Sequence, residues 1–249
     1  MSVPLANVEG VGRGLTLSDR TKSVDAISSR ELSSISVNGD VSHRISESAA
    51  FKIGELFLPN GESYCGSLLG SVPEGTGKYV WSDGCIYEGE WRRGARNGTG
   101  KIQWPSGAAY EGEFSGGYMH GAGNYIGANN VSYRGRWRLN LKHGLGYQVY
   151  PNRDVFEGSW LQGTPEGPGK YSWANGNVYV GNMKGGKMTG KGTLTWMNGD
   201  SFEGSWLNGM MHGLGVYTWT DGGCYVGTWS HGLKDGKGTF YPCGSRFPS

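Results

Sequence analysis

Two glycine-rich stretches carry spacing that phosphate-binding loops use. Gly185-Gly-Lys-Met-Thr-Gly190-Lys191-Gly192-Thr193 comes close to G-x-x-x-x-G-K-[ST], and Gly232 to Thr239 shows related spacing. Such a loop lies between a strand and a helix and needs Ser or Thr directly after its Lys. Gly192 and Gly238 occupy that place, so neither stretch reads as nucleotide-binding. His120, His143 and His212 share one position of a repeating unit. Two strand spacings set neighbouring equivalents about 9.6 Å apart, whereas zinc ligands lie about 2.0–2.1 Å from the metal. Cys65, Cys85, Cys224 and Cys243 form no C-x-x-C and no Cys/His cluster. The acidic residues recur in columns without an isolated pair in an apolar setting, and no Ser/His/Asp arrangement stands out. No catalytic residue, metal or cofactor is expected.

The basic residues offer different chemistry. Arg134, Arg136, Arg138 and Lys142 concentrate in one stretch, with Arg153 following and only Asp154 opposing. Alternation along a strand puts the three arginines on one face, opposite Tyr133 and Trp137. Smaller clusters are Arg92, Arg93 and Arg96, and Lys184, Lys187 and Lys191. Each basic side chain near an acidic membrane contributes about 1 kcal/mol. The expectation is contact with anionic lipid headgroups through Arg134, Arg136, Arg138, Lys142, Arg92 and Arg93. The alternative is a solvated face paired with Glu111, Glu113 and Glu157, columns that a repeating ribbon sets about 9.6 Å away. The formal net charge is only +2, too small to suggest nucleic acid as a partner.

What positions these residues is a repeat. An aromatic residue followed two places on by glycine occurs at Tyr64, Tyr87, Tyr110, Tyr133, Phe156, Tyr179, Phe202 and Tyr225, every 23 residues without insertion. Two further glycines keep step, from Gly75 and Gly77 in the first copy to Gly236 and Gly238 in the last. All 10 tryptophans fall in two columns: Trp91, Trp137, Trp160, Trp206 and Trp229, and Trp81, Trp104, Trp173, Trp196 and Trp219.

Period two within each copy predicts strands. Tyr87, Gly89 and Trp91 share one face, Glu88 and Glu90 the other; Gly98, Gly100, Ile102 and Trp104 are likewise expected to share a face. Turns are marked by Arg93-Gly94 inside a copy and by Asp83-Gly84 and Asn198-Gly199 between copies. Each copy therefore reads as a hairpin, and successive hairpins as one antiparallel meander. A glycine between two rings leaves room for a ring to lie flat and lets the sheet twist. The fold class expected is all-β: an elongated single-sheet antiparallel meander solenoid of eight 23-residue hairpin repeats. No helix layer covers it, so the rings must cover one another. Any residual exposure of Trp91, Trp137, Trp160, Trp206 and Trp229 would form a groove for a peptide or protein partner. Uncapped sheet ends would allow weak pairing into a homodimer.

Composition agrees. Of 249 residues 47 are glycine and 9 proline, which excludes collagen, and 12% are aromatic, too many for a disordered chain. The first 50 residues differ: serine is frequent and no aromatic occurs before Phe51. Residues 1–50 read as a disordered Ser-rich tail, 51–63 as a half-repeat supplying one capping strand, and 64–247 as eight repeats. No apolar leader and no apolar run of 18 residues is present, so a reduced, cytoplasmic chain is expected.

The pattern Y-x-G-x-W…G-x-G-x-Y-x-W resembles the MORN (membrane occupation and recognition nexus) repeat over residues 64–247. Pro73 to Trp91, Trp104-Pro-Ser-Gly-Ala, Tyr118-Met-His-Gly121 and Asn140-Leu-Lys-His-Gly144 are similar to the N-terminal half of plant phosphatidylinositol 4-phosphate 5-kinases. In that family a lipid-kinase domain follows the repeats; for this chain the expectation is a repeat region without one. The resemblance implies a non-catalytic regulatory and membrane-targeting module that binds anionic lipid or the kinase domain. The other readings are a protein-interaction scaffold using the aromatic groove, and a fragment of the parent kinase.

Overall fold

The computed structural model describes residues 51–244, so the Ser-rich tail assigned to residues 1–50 lies outside the described residues. The described residues contain no helix. They form seventeen strands, all in one sheet. A strand β1 (Phe51–Phe57) comes first; each repeat then supplies a seven-residue and a nine-residue strand. They are β2 (Ser63–Leu69), β3 (Val72–Val80), β4 (Ile86–Arg92), β5 (Ala95–Gln103), β6 (Ala109–Ser115), β7 (Tyr118–Ile126), β8 (Ser132–Arg138) and β9 (Leu141–Val149). There follow β10 (Val155–Leu161), β11 (Thr164–Ser172), β12 (Val178–Lys184), β13 (Lys187–Thr195), β14 (Ser201–Leu207), β15 (Met210–Thr218), β16 (Cys224–Ser230) and β17 (Leu233–Tyr241).

The strands fall into two compact units. One holds β1 to β7 with Arg136–Leu141; the other holds Asn129–Gly135 and the chain from Lys142 onward. In the first, each strand pairs antiparallel with the next, from β1–β2 to β6–β7. In the second the same holds from β9–β10 to β16–β17.

Two-residue turns close the hairpins inside copies. Both turn residues have positive φ, as in Arg93 (50°) with Gly94 (75°) and Asn208 (51°) with Gly209 (85°). This is the turn whose twist matches that of the flanking strands. The second turn residue also donates its N–H to the preceding copy: Gly94 to the Pro73 carbonyl, Gly163 to that of Lys142 and Gly209 to that of Met188, each at 2.9 Å.

The core is the aromatic layer on one face. Tyr64, Tyr87, Tyr110, Tyr133, Phe156, Tyr179 and Phe202 are at most 1% exposed. Each ring lies over two glycines that face each other across the hairpin, as Gly66 faces Gly77 and Gly89 faces Gly100. A Cβ on Gly77 would sit 2.3 Å from the Tyr64 hydroxyl oxygen, and one on Gly100 2.4 Å from that of Tyr87. The room that the glycines leave is thus filled by the ring two residues earlier in the same copy. The next copy then packs edge-on: Tyr64 meets Trp91 at 5.4 Å and 86°, and Phe202 meets Trp229 at 5.2 Å and 76°. Such edge-to-face pairs are favoured by the ring quadrupole.

One alternation expected from the sequence does not hold. Gly98 does not share a face with Gly100, because the β4–β5 register slips between Gly89 and Trp91. Gly98 has φ +65°, and a Cβ there would strike the Glu90 carboxylate on the opposite face. The Glu90 carboxylate instead accepts the Thr99 N–H at 2.8 Å. This is a glycine β-bulge, repeated with the same register slip at Gly75 (φ +87°), Gly121 (+59°) and Gly236 (+71°).

Candidate binding surfaces

The outer face of β8 carries the arginine row. Arg134, Arg136 and Arg138 are all exposed, while Tyr133 and Trp137 on the other face are 1% and 3% exposed. The places equivalent to Arg134 and Arg136 hold exposed carboxylates on β4 and β6, Glu88 and Glu90, Glu111 and Glu113, while that of Arg138 holds Arg92 and Ser115.

Lys142 does not join that row. Its Nζ lies 5.2 Å from the Tyr133 ring centroid and 4.9 Å from that of Trp160, and it donates to the Gln148 side-chain oxygen. Gln148 is 2% exposed. Burial lowers the Lys142 pKa to about 8. The side chain is thus on the aromatic face, packed as a cation over rings.

The second basic cluster divides in the same way. Arg92 and Arg93 are exposed, and Arg93, in its turn, donates its backbone N–H to the Glu74 carboxylate at 2.7 Å. Arg96 is 8% exposed. Its guanidinium sits 5.5–5.8 Å from the rings of Trp81, Tyr87 and Phe114 and donates to the Gly117 carbonyl. Burial pulls its pKa below the usual guanidinium value. Arg96, Lys142 and Lys234 occupy one column of the repeat, where other copies hold Pro73, Met119, Pro165, Met188 and Met211. The sequence signal for this column was available: a long side chain replaces Met or Pro next to the turn.

The five tryptophans expected to line a groove are packing residues. Trp91, Trp137, Trp160, Trp206 and Trp229 are 3–6% exposed. The indole N–H groups of Trp91 and Trp206 donate to the carbonyls of Gly77 and Gly192 in the preceding copy, at 3.0 and 2.9 Å. The reachable rings belong to the other column: Trp81, Trp104, Trp173, Trp196 and Trp219 are half-buried.

Sequence reasoning missed a latch between copies. The Asp200 carboxylate, 9% exposed, accepts from the Tyr217 hydroxyl at 2.8 Å, from Asn198 at 3.0 Å and from the Thr220 N–H at 3.0 Å. Asp154 repeats the arrangement with Tyr171, Asn152 and the Ala174 N–H, each at 2.8 Å. Glu62 takes the same part toward Tyr79 at 2.5 Å.

The phosphate-loop lookalike lies on β13, followed by a turn and β14, so no helix opens after Lys191. Among the described residues no group of three or more His, Cys, Asp or Glu side chains could hold a metal ion.

Comparison with known proteins places this geometry. The description "MORN repeat" matches residues 64–86, 87–109, 110–132, 133–155, 156–178, 179–201, 202–224 and 225–246. Phosphatidylinositol 4-phosphate 5-kinase 9 of Arabidopsis thaliana is 70% identical over 75 residues, 30% of this chain and 9% of that protein. Phosphatidylinositol 4-phosphate 5-kinase 1 of Oryza sativa subsp. japonica is 54% identical over 69 residues, 26% of this chain and 9% of that protein. The stretch shared with these relatives is therefore about a tenth of their length and lies in the repeat region. Among solved structures, the G-box domain of the microcephaly protein CPAP aligns with 80% of this chain and 100% of that one, at 13% identity and TM-score 0.45.

Proposed function

Because the chain belongs to the MORN-repeat family and is related to the repeat region of plant phosphatidylinositol 4-phosphate 5-kinases, we propose that it is a non-catalytic module that brings such a lipid kinase to acidic membrane. Its ligand is an anionic lipid headgroup, phosphatidic acid or a phosphoinositide. The observation that carries this reading is the row Arg134, Arg136 and Arg138, exposed on one strand, the first two at places where β4 and β6 carry glutamates. Arg92 and Arg93 add two further exposed cations. Lys142 and Arg96 are left out, since their charges are spent on rings. Three to five basic contacts of about 1 kcal/mol each give weak individual and useful combined affinity. The place of action that follows is the inner surface of the plasma membrane.

Flotation of the purified chain with vesicles containing phosphatidic acid or phosphoinositide tests this. Exchange of Arg134, Arg136 and Arg138 for glutamate should abolish co-flotation, and raising the salt to physiological strength should weaken it in the unaltered protein. Unchanged flotation of the charge-reversed chain refutes the assignment. Docking of the kinase domain is the second reading, favoured by the half-buried Trp81, Trp104, Trp173, Trp196 and Trp219; it would be insensitive to salt.

A further inference from the structure

Six asparagines of the chain are followed by glycine. In this pair the glycine nitrogen can attack the asparagine amide, since no Cβ stands in the way. Asn38 lies outside the described residues. Asn60, Asn175, Asn198 and Asn208 lie in turns between strands, and Asn97 lies within β5.

In the four turns the glycine N–H is engaged elsewhere. Gly61 donates to the Leu58 carbonyl and Gly176 to that of Trp173, both at 3.0 Å; Gly199 donates to Trp196 and Gly209 to Met188, both at 2.9 Å. The side-chain oxygens of Asn60, Asn175 and Asn198 accept from the N–H two residues on, at 3.2, 3.0 and 3.1 Å. Such turns hold the amide past the glycine nitrogen.

At Asn97 the arrangement is reversed. The Gly98 N–H donates to the side-chain oxygen of Asn97 itself, at 2.9 Å. The nitrogen is thus held beside the carbonyl group that it would attack. Asn97 sits at the bulge, where it enters neither the β4–β5 nor the β5–β6 register. Its side chain is half-buried, within reach of water.

We propose that Asn97–Gly98 is a site of spontaneous cyclisation and deamidation, a chemical ageing point built into the second copy. The Gly98 nitrogen gives its proton to water and bonds to the Asn97 Cγ. The Cγ–Nδ2 bond breaks, and the amide nitrogen takes up a proton and leaves as ammonia. Water then opens the cyclic imide at one of its two carbonyls, which leaves aspartate or isoaspartate at position 97. No other reactant is needed. The proposal does not rest on the lipid reading, since Arg134, Arg136 and Arg138 take no part in it.

The new carboxylate arrives where one already stands. Glu90 accepts the Thr99 N–H at 2.8 Å and the Thr99 hydroxyl at 2.6 Å, and lies against Gly98. Across the repeats these two columns never hold two acids together. Where the column of Asn97 carries Glu74, Glu166 or Asp235, that of Glu90 carries Ser67, Ser159 or Thr228. Where the latter carries Glu90 or Glu113, the former carries Asn97 or His120. Conversion of Asn97 creates the missing combination, in which like charges repel. The isoaspartyl form also lengthens the main chain next to Arg96.

The test incubates the full chain at body temperature and mildly alkaline pH, natively folded or unfolded in urea. Peptide mapping by mass spectrometry reads each asparagine, and an isoaspartyl methyltransferase assay detects the isomer. In the folded chain Asn97 should convert at least about tenfold faster than Asn60, Asn175, Asn198 and Asn208, because misplacing reacting atoms by about 1 Å costs about a hundredfold. In urea the rates should draw together. Asn97→Gln should remove conversion at this position, and circular dichroism confirms that it folds. Asn97→Asp, which sets the second carboxylate in place without the reaction, should melt below Asn97→Gln. No conversion at Asn97, equal conversion in the turns of the folded chain, or an undiminished lead for Asn97 in urea overturns the proposal. Equal melting of the two variants overturns the consequence drawn from Glu90.

Discussion

The hydroxyl of Tyr217 donates to the carboxylate of Asp200, seventeen residues earlier, at 2.8 Å. The bond ties the end of one copy to the second strand of the next, in a solenoid whose stability rests on nearest-neighbour interfaces. Removing the acceptor orphans two further donors, Asn198 and the Thr220 N–H. Asp200→Ala should therefore destabilise by about 2–3 kcal/mol and Tyr217→Phe by about 1 kcal/mol, read from urea denaturation midpoints. Equal losses would show that the carboxylate is not the hub.

The same carboxylate sets an acid limit. Burial raises its pKa, but the bonds from Tyr217, Asn198 and Thr220 outweigh burial and leave the value below the ordinary one. A depressed folded-state pKa gives stability that is complete above the unfolded value and is lost as pH falls through the folded one. The chain should lose stability below about pH 4, and Asp200→Asn should flatten that loss in denaturation curves taken between acid and neutral pH.

Lys142 predicts the opposite end of the pH scale. Its folded pKa of about 8 lies below the ordinary 10.5 because of burial. The unfolded chain then binds the extra proton between those two values, so this residue's contribution to stability rises with pH across that window. Lys142→Met, the residue that Met119, Met188 and Met211 provide elsewhere in the column, should remove the alkaline gain. Vesicle flotation should be unaffected, because the Lys142 ammonium is packed over the Tyr133 and Trp160 rings.

Leu139 occupies a turn position that suits it poorly. Its φ is 50° and its side chain is 58% exposed, while the equivalent residue in three other copies is glycine, Gly70, Gly116 and Gly185. A left-handed conformation at a non-glycine residue costs about 1–2 kcal/mol. Leu139→Gly should raise the melting temperature, with a gain of about 1 kcal/mol after the flexibility gained by the unfolded chain.

Gly100→Ala should be far more damaging than a glycine change at an exposed turn. The new methyl would lie 2.4 Å from the Tyr87 hydroxyl oxygen and 2.6 Å from its ring. Overpacking of this kind costs about 1–3 kcal/mol or more. Gly116→Asn, at a turn with nothing within 4 Å, should change stability by less than about 0.5 kcal/mol, since asparagine tolerates positive φ.

The repeat length, the strand faces and the turns were legible in the sequence, because they follow from period two, from fixed 23-residue spacing and from turn chemistry, all of which are local. Arg134, Arg136 and Arg138 could be placed on the outer face for that reason. Two things only the tertiary structure decided. The bulge at Gly98 turns that residue to the outer face, since its left-handed φ and the Glu90–Thr99 bond depend on the paired strand. The side chains of Arg96 and Lys142 go under the rings, since the walls that hold them, Phe114 and Trp160, come from the following copy. Alternation along one strand assigns a face; it does not show which long side chain will find a ring one copy away.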